Sequence, residues 1–375
     1  MPATTQTRND ILSANSLSLE SSEPLDLGLS PSVLQSSRRR TMNAVFIEQT
    51  GGADVLQYGA LPFPSPAPGQ VLLKVGAVAV NSIDVEIRSG RLPMPLRYPY
   101  IVGSDVAGTV VTCGLGVRRF SEGDRVWGSN QGLFGRQGTF AEYVVVDEKW
   151  LYPIPMGQSH AEAAAGAMIG LTASLALFHS ARLRRGEVVF VNGGTAGASS
   201  AVLQQAKAAG ACVIVAQCSP GESTHCQEQQ ADLVLDSHSE TFDRDLCEFI
   251  APRGGIDVWL EMTPVSSLIH PVAMMAEGGR IVLMEGQTSQ LDLPVRELQA
   301  NHLSVLGSSL FTALPDLQRR YATDLNARCS YGAWRPHIGP SFTLSQTAEA
   351  QQLQERLSRR ECPEVIGKIV VIPDQ

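Results

Sequence analysis

The chain has 375 residues, 43% of them apolar, enough to build two domains around real cores. A net charge of −8 argues against a general grip on nucleic acid or anionic membrane and leaves a small molecule as the expected partner. No unbroken apolar run reaches the roughly 18 residues of a spanning helix, no secretory pattern opens the chain, and seven scattered cysteines without a CxxC pair fit reduced thiols, so a soluble cytoplasmic protein is expected.

Residues 1–41 are rich in Ser and Thr, show no sustained period of 2 or 3.6 and end in "SSRRR", which points to a disordered extension. A transit peptide is the competing reading, opposed by Asp10, Glu20, Glu23 and Asp26 in a segment that should be poor in acids. From Met42 onward order is expected: "NAVFIEQTGG" reads as a strand running into a Gly-Gly turn, and "QVLLKVGAVAV" as a second strand. Pro62, Pro64, Pro66 and Pro68 lie between them and disfavour helix or central strand, so they mark an extended surface connection. "AGTVVTCG", "DRVWG" and "FAEYVVV" add short strands, and this first module is mostly β.

From about Gly186 buried strands alternate with helices. "EVVFVNGG" is a strand ending in glycines, and "SAVLQQAKAAGA" places Val202, Ala206 and Ala209 on one helical face. "CVIVAQ", "ADLVLD", "IDVWLEM" and "RIVLMEG" follow as strands, with "SSLIHPVAMMAEGG" as a helix stopped by Gly278 and Gly279. Unbroken apolar strands separated by helices mean a parallel sheet covered on both faces, a Rossmann-type unit.

Between the first strand and first helix of that unit lies "NGGTAGASS", Asn192 to Ser200. A dinucleotide needs such a turn because backbone N–H groups and the positive end of the helix bind its pyrophosphate, and bulky side chains obstruct the approach. Against GxGxxG the stretch offers Gly194, Ala196 and Ser199, with Gly193 and Gly197 added and Thr195 and Ala198 between. The carboxylate that holds an NAD ribose is due about 20 residues on, where "AQCSPG" supplies Gln217, Cys218 and Ser219 instead. Its absence favours NADPH while leaving NADH open, since no Arg or Lys stands adjacent to grip a 2′-phosphate.

"AVNSIDVEIRSG", "GSDVAGTVVTCGLGVRRFSEGDRV", "GGTAGASS", "IDVWLEM", "EGGRIVLMEG", "LGSSLF" and "GKIVVI" occur in this order between Met42 and Ile372. Together they resemble the zinc-independent quinone oxidoreductases of the medium-chain dehydrogenase/reductase superfamily, most closely the zeta-crystallin type. The resemblance implies an α/β fold: a GroES-like β-rich catalytic domain over 42–165, a Rossmann doubly wound parallel sheet over 166–305, and a return over 306–375 that completes the catalytic domain. It implies an active site in the cleft between them and a homodimer or homotetramer, with "LSVLGSSLF" placed to extend a sheet across a two-fold axis.

Zinc-dependent relatives carry Cys where this chain has Asn81, a His-Glu pair where it has Ser104 and Asp105, and a further Cys or His where it has Met168. An amide, a hydroxyl and a thioether do not make a zinc site. "WGSNQGLFGRQGTFAE" also lacks the cysteines of a structural zinc, so no metal is expected. Without a Lewis acid the expected substrates are quinones and α,β-unsaturated carbonyls, whose conjugation spreads the charge that hydride brings. The resemblance gives Asn81 the orientation of nicotinamide or substrate and Tyr100 a donor role toward an oxyanion. Each has a structural alternative: Asn81 caps a helix with Asp84 in its first turn, Arg88 pairs on the surface, and Tyr100 packs beside Pro99. The resemblance further points to Thr172, the turn from Gly193 to Ser199, Gly286, Leu310, Phe311, Gly367 and Lys368 as cofactor contacts. Enoyl thioester reduction is a variant of the same activity, and a crystallin-like nucleotide-binding protein with little turnover is the alternative that the altered "GTAGAS" turn keeps open.

Overall fold

A computed structural model of the chain describes residues 40–193, 197–217, 226–227, 231–284, 290–362 and 364–374. Thr41–Gln375 form one compact unit, so the expected extension lies almost wholly outside the described residues and the first strand opens at Thr41.

The N-terminal part is β-rich, as its alternating segments require. It contains β1 (Thr41–Ile47), β2 (Gln57–Pro62), β3 (Gln70–Ala79), α1 (Ser82–Ser89), β4 (Tyr100–Ile101), β5 (Val106–Cys113), β6 (Arg125–Gly128), β7 (Tyr143–Asp147) and β8 (Leu151–Pro153). Helix α2 (His160–Ser174) follows, capped by Ser159, whose Oγ accepts from the Glu162 N–H at 3.1 Å while the Glu162 carboxylate accepts from the Ser159 N–H at 2.8 Å. The apolar path of α2 runs on to Ser180, giving 21 helical residues long and apolar enough to cross a bilayer, which corrects the sequence expectation. Its Ala- and Gly-rich turns are buried on every side by β3, β5, β6 and the helices of the second domain, so it is the core helix between domains.

The Rossmann part runs β9 (Val188–Asn192), α3 (Ala198–Ala208), β10 (Cys212–Gln217), β11 (Leu233–Asp236), α4 (Phe242–Ile250), β12 (Ile256–Glu261), α5 (Ile269–Ala273), β13 (Met275–Leu283), α6 (Val295–Ala300) and β14 (Ser304–Gly307). All six strands are parallel in the order β11-β10-β9-β12-β13-β14. The order reverses between β9 and β12, and ligands of such sheets bind outside the carboxyl ends at that point. The helix expected over Ser266–Gly279 is cut to five residues in α5, because Met275 already pairs with Ile256 and a register shift before Val258 places Gly278 and Gly279 inside β13.

The chain then returns through α7 (Pro315–Ser330), β15 (Ile338–Thr343), α8 (Thr347–Ser358) and β16 (Lys368–Ile372). Strand β16 pairs antiparallel with β3, so the last strand joins the first domain's seven-stranded sheet, ordered β15-β16-β3-β5-β6-β8 with β7 also on β3. Two distant pieces of sequence thereby form one wall of the cleft.

Candidate active site

The β16–β3 register decides what faces what. Val370 lies opposite Ala79, and the same register continued two residues sets Lys368 opposite Asn81. Gly367 makes this entry possible: its φ is +93°, and a Cβ there would meet His337 Cδ2 at 2.5 Å and the Gly339 nitrogen at 2.7 Å. The Lys368 N–H then donates to the His337 carbonyl at 2.8 Å, and its side chain reaches Asn81, where Nζ donates to Oδ1 at 2.6 Å.

Asn81 is the N-cap of α1, and the Asp84 carboxylate accepts from its backbone N–H at 2.8 Å, so the capping expectation holds for its main chain. Its side chain is engaged elsewhere: with Oδ1 on Lys368, Nδ2 donates to Asp105 Oδ2 at 2.9 Å. The Met168 N–H donates to the same Asp105 oxygen at 3.4 Å, and Ser104 Oγ donates to Asp84 Oδ1 at 2.5 Å. Asn81, Ser104, Asp105 and Met168, far apart in sequence, thus converge on one buried knot with Lys368 at its cleft side.

Burial sets the ionisation of this knot. Desolvation pushes Asp84 up to about 7, against the bonds from Ser104 and Asn81. It pushes Asp105 up to about 6, opposed chiefly by the Lys368 ammonium. Burial pulls Lys368 below its ordinary range, and the two carboxylates act to hold its proton. Burial thus favours the neutral form of both carboxylates, while the ammonium and the donated hydrogen bonds favour the charged form.

The opposite wall is the switch point of the Rossmann sheet. Asn192, last in β9, donates through Nδ2 to both oxygens of Glu261, last in β12, at 2.9 Å each. Thr263 Oγ1 at 2.6 Å and Trp259 Nε1 at 3.1 Å complete the hold on this buried carboxylate. The glycine turn leaves from Asn192. Gly197 caps α3 with φ +59°, and among the described residues the nearest atom to a Cβ there is Ile169 Cγ2 at 3.7 Å. Ser199 Oγ donates back to the Gly193 carbonyl at 3.3 Å, tying the helix start to the turn.

These two walls enclose one cavity of about 480 Å³. Of the residues expected there, it is lined by Asn81, Thr172, Gly193, Gly197, Ala198, Ser199, Leu310, Phe311, Gly367 and Lys368. Gly194, Thr195, Ala196, Ser219 and Gly286 lie outside the described residues, and Gln217 ends β10 with its side chain likewise undescribed. Two expectations are corrected. Tyr100 does not reach the cavity: its buried hydroxyl donates to the Gly132 carbonyl at 2.6 Å, and desolvation raises its pKa. Arg88 is not on the surface but fully buried, paired with Glu355 of α8. Missed from sequence were Gln354, Leu357 and Ser358 of α8, Met262, Met284, and Ser308 and Ser309. No local motif marks the α8 residues, although Ser308 and Ser309 lie inside the quoted "LGSSLF".

A doubly wound sheet whose glycine turn opens onto a cavity shared with a GroES-like domain defines a nicotinamide-dependent oxidoreductase of the medium-chain type. Residues 67–156 match the alcohol dehydrogenase GroES-like domain and residues 197–327 the zinc-binding dehydrogenase model. Quinone oxidoreductase of Rattus norvegicus is 32% identical over 323 residues, covering 84% of this chain and 94% of that protein. A trans-enoyl reductase of Gibberella fujikuroi is 30% identical over 285 residues, 71% of this chain and 79% of that one. A mycobacterial protein solved in complex with NADPH superimposes with TM-score 0.75 at 26% identity, over 88% of this chain and 100% of that one. The chain belongs to the quinone oxidoreductase family of the medium-chain dehydrogenase/reductase superfamily, and it is an oxidoreductase that works with a nicotinamide cofactor.

Zinc, which the second family model's description implies, does not fit the residues present. The equivalent positions offer an amide already shared between Lys368 and Asp105, a hydroxyl bonded to Asp84 and a thioether, with an ammonium among them. Among the described residues no three His, Cys, Asp or Glu side chains group to hold a metal.

Proposed function

We propose that this protein reduces quinones or α,β-unsaturated carbonyls with NAD(P)H and without zinc. The observation that carries the reading is the Asn81–Lys368–Asp105 knot: Asn81 and Asp105 stand where the resemblance places metal ligands in zinc-dependent relatives, and Asn81 and Lys368 line the same cavity as the glycine turn. The described part of the turn, Gly193 and Gly197 to Ser199, together with the start of α3, would hold the pyrophosphate; Thr172, Leu310 and Phe311 would border the nicotinamide. When bound, the cofactor supplies a hydride. Asn81 orients a ring or carbonyl against this wall, and Met168, Leu357 and Ile369 add an apolar surface suited to a flat acceptor.

NADPH is the proposed donor, with NADH accepted, because Gln217 ends β10 where an NAD-binding carboxylate would stand. Enoyl thioester reduction is a second reading, favoured by the likeness to a trans-enoyl reductase. The protein is proposed to act on small molecules in the cytoplasm, away from membrane and nucleic acid. It is further proposed to act as a homodimer or homotetramer, since among the described residues β14 is an edge strand of the parallel sheet, the kind of element that can pair with a second copy. The test is to mix the protein with NADPH or NADH and p-benzoquinone, an enone or an enoyl thioester, and to follow the absorbance of the reduced cofactor. Oxidation of cofactor by quinone or enone is expected. Turnover with none of these acceptors, alongside tight NADPH binding, would overturn the reading in favour of a crystallin-like nucleotide binder.

A further inference from the structure

Lys368 combines features that structural lysines lack. It is only 7% exposed, yet it lines the cavity. Its backbone is fixed by the Gly367 turn and the β16 register, so the ammonium is placed by the sheet. An ammonium has three N–H donors, and among the described residues one is bonded, to Asn81 Oδ1 at 2.6 Å. Asp105, by accepting from Asn81 Nδ2, turns the amide so that its oxygen faces Lys368. Met168, Leu310 and Phe311 add apolar surface to the same cavity, and in such surroundings a fixed positive charge acts most strongly on a ligand.

We propose that Lys368 is the oxyanion-stabilising residue of this enzyme, donating an N–H to the acceptor's carbonyl oxygen as that oxygen gains charge, in the electrostatic place that a metal holds in zinc-dependent relatives. The inference rests on the reading above that the acceptor is a quinone or enone. With an enone, hydride forms a new C–H bond at the β-carbon, and the C=C electron pair shifts until negative charge resides on the carbonyl oxygen. Lys368 holds that oxygen without surrendering its proton. A proton from water then adds at the α-carbon, so one hydride and one proton account for the product. Asn81 and Asp105 act as positioning residues, keeping the ammonium aimed.

An enone gathers this charge on one oxygen, whereas a quinone spreads it over an aromatic ring and needs less help. Lys368→Met should therefore lower kcat on an enone by about 100-fold or more and on p-benzoquinone by about 10-fold or less. Lys368→Arg should recover part of the enone rate. A second readout needs no turnover: p-nitrophenol, titrated with the protein, should bind preferentially as the coloured phenolate to the parent and lose that preference in Lys368→Met. If Lys368→Met disturbs folding by leaving Asp84 and Asp105 without their cation, the triple variant Asp84→Asn/Asp105→Asn/Lys368→Met removes all three charges and serves both assays. Equal losses on enone and quinone, or unchanged phenolate binding, would overturn the assignment. If the parent oxidises NADPH with neither acceptor, the functional reading fails while the phenolate titration still decides whether Lys368 holds an oxyanion.

Discussion

Glu355→Ala is the sharpest test of how the cleft is held together. Arg88, in α1, has no exposed surface, and its charge is met by the carboxylate of Glu355 in α8, while among the described residues its Nε and Nη1 have no hydrogen-bond partner. Removing Glu355 leaves a guanidinium that has no exposed surface of its own without its counter-charge. Breaking a buried pair from one side costs about 3–5 kcal/mol. Glu355 is 22% exposed, so the pair is not fully desolvated and the expected loss lies near the lower end, about 3 kcal/mol. Arg88→Met keeps much of the volume and removes the charge; with Glu355 able to turn to solvent, its cost should be about 1 kcal/mol, and Arg88→Met/Glu355→Leu should approach the parent. Urea unfolding followed by tryptophan fluorescence measures all three variants. Because Gln354, Leu357 and Ser358 of the same helix line the cavity, Glu355→Ala should also raise the acceptor KM at temperatures where the protein stays folded. A Glu355→Ala protein within 1 kcal/mol of the parent, or an Arg88→Met protein as damaged as it, would refute the argument that an unpaired buried charge sets the cost.

Gly197→Asp places a carboxylate and a Cβ at a φ of +59° beside the expected pyrophosphate, so NADPH affinity should fall at least about 100-fold while the fold survives; unchanged binding by calorimetry would show that another segment holds the cofactor. Purified protein should contain no stoichiometric zinc and keep its activity in chelator, and one tightly held zinc per chain by metal analysis would contradict the donor-set argument. Burial raises Asp84 from 3.8 to about 7, so the folded protein binds a proton that the unfolded chain has released, and this group's contribution to stability falls as pH rises from about 4 through 7. Asp84→Asn should flatten that part of the stability profile, and a profile left unchanged would sink the assignment. Light scattering at micromolar concentration should report a dimer or larger species; a monomer alone would leave the β14 edge unpaired.

The Rossmann half was legible because its central strands are buried on both faces. Val188–Asn192, Cys212–Gln217 and Ile256–Glu261 read as unbroken apolar runs for that reason, and the sheet order then places the turn over the switch point. Where tertiary contacts override local pattern, legibility fails. Arg88 at the last turn of an amphipathic helix reads as a surface residue, and its partner Glu355 lies in α8, more than 250 residues on. Tyr100 offers a hydroxyl beside a proline, and nothing nearby in sequence announces that the Gly132 carbonyl will claim it.

The knot at Lys368 lies between these extremes. Asn81 and Lys368 are 287 residues apart, so no spacing rule joins them. The sequence nevertheless carried a physical signal: "GSDVAG" and "GKIVVI" each set one charge among small or apolar residues, and "SIDVEI" sets two. A charge taken into such a core costs several kcal/mol unless an opposite charge or a ligand meets it. Asp84, Asp105 and Lys368, all buried, therefore have to meet one another or a bound group. The β16–β3 register brings Lys368 to the cavity wall, while Asp84 and Asp105 stay buried behind it, where Asn81, Ser104 and Met168 donate to them. A purely structural pairing would bury the ammonium between the carboxylates. Setting an amide between Lys368 and Asp105 instead keeps the positive charge from being fully quenched, and that residual field is what an acceptor gaining negative charge would meet.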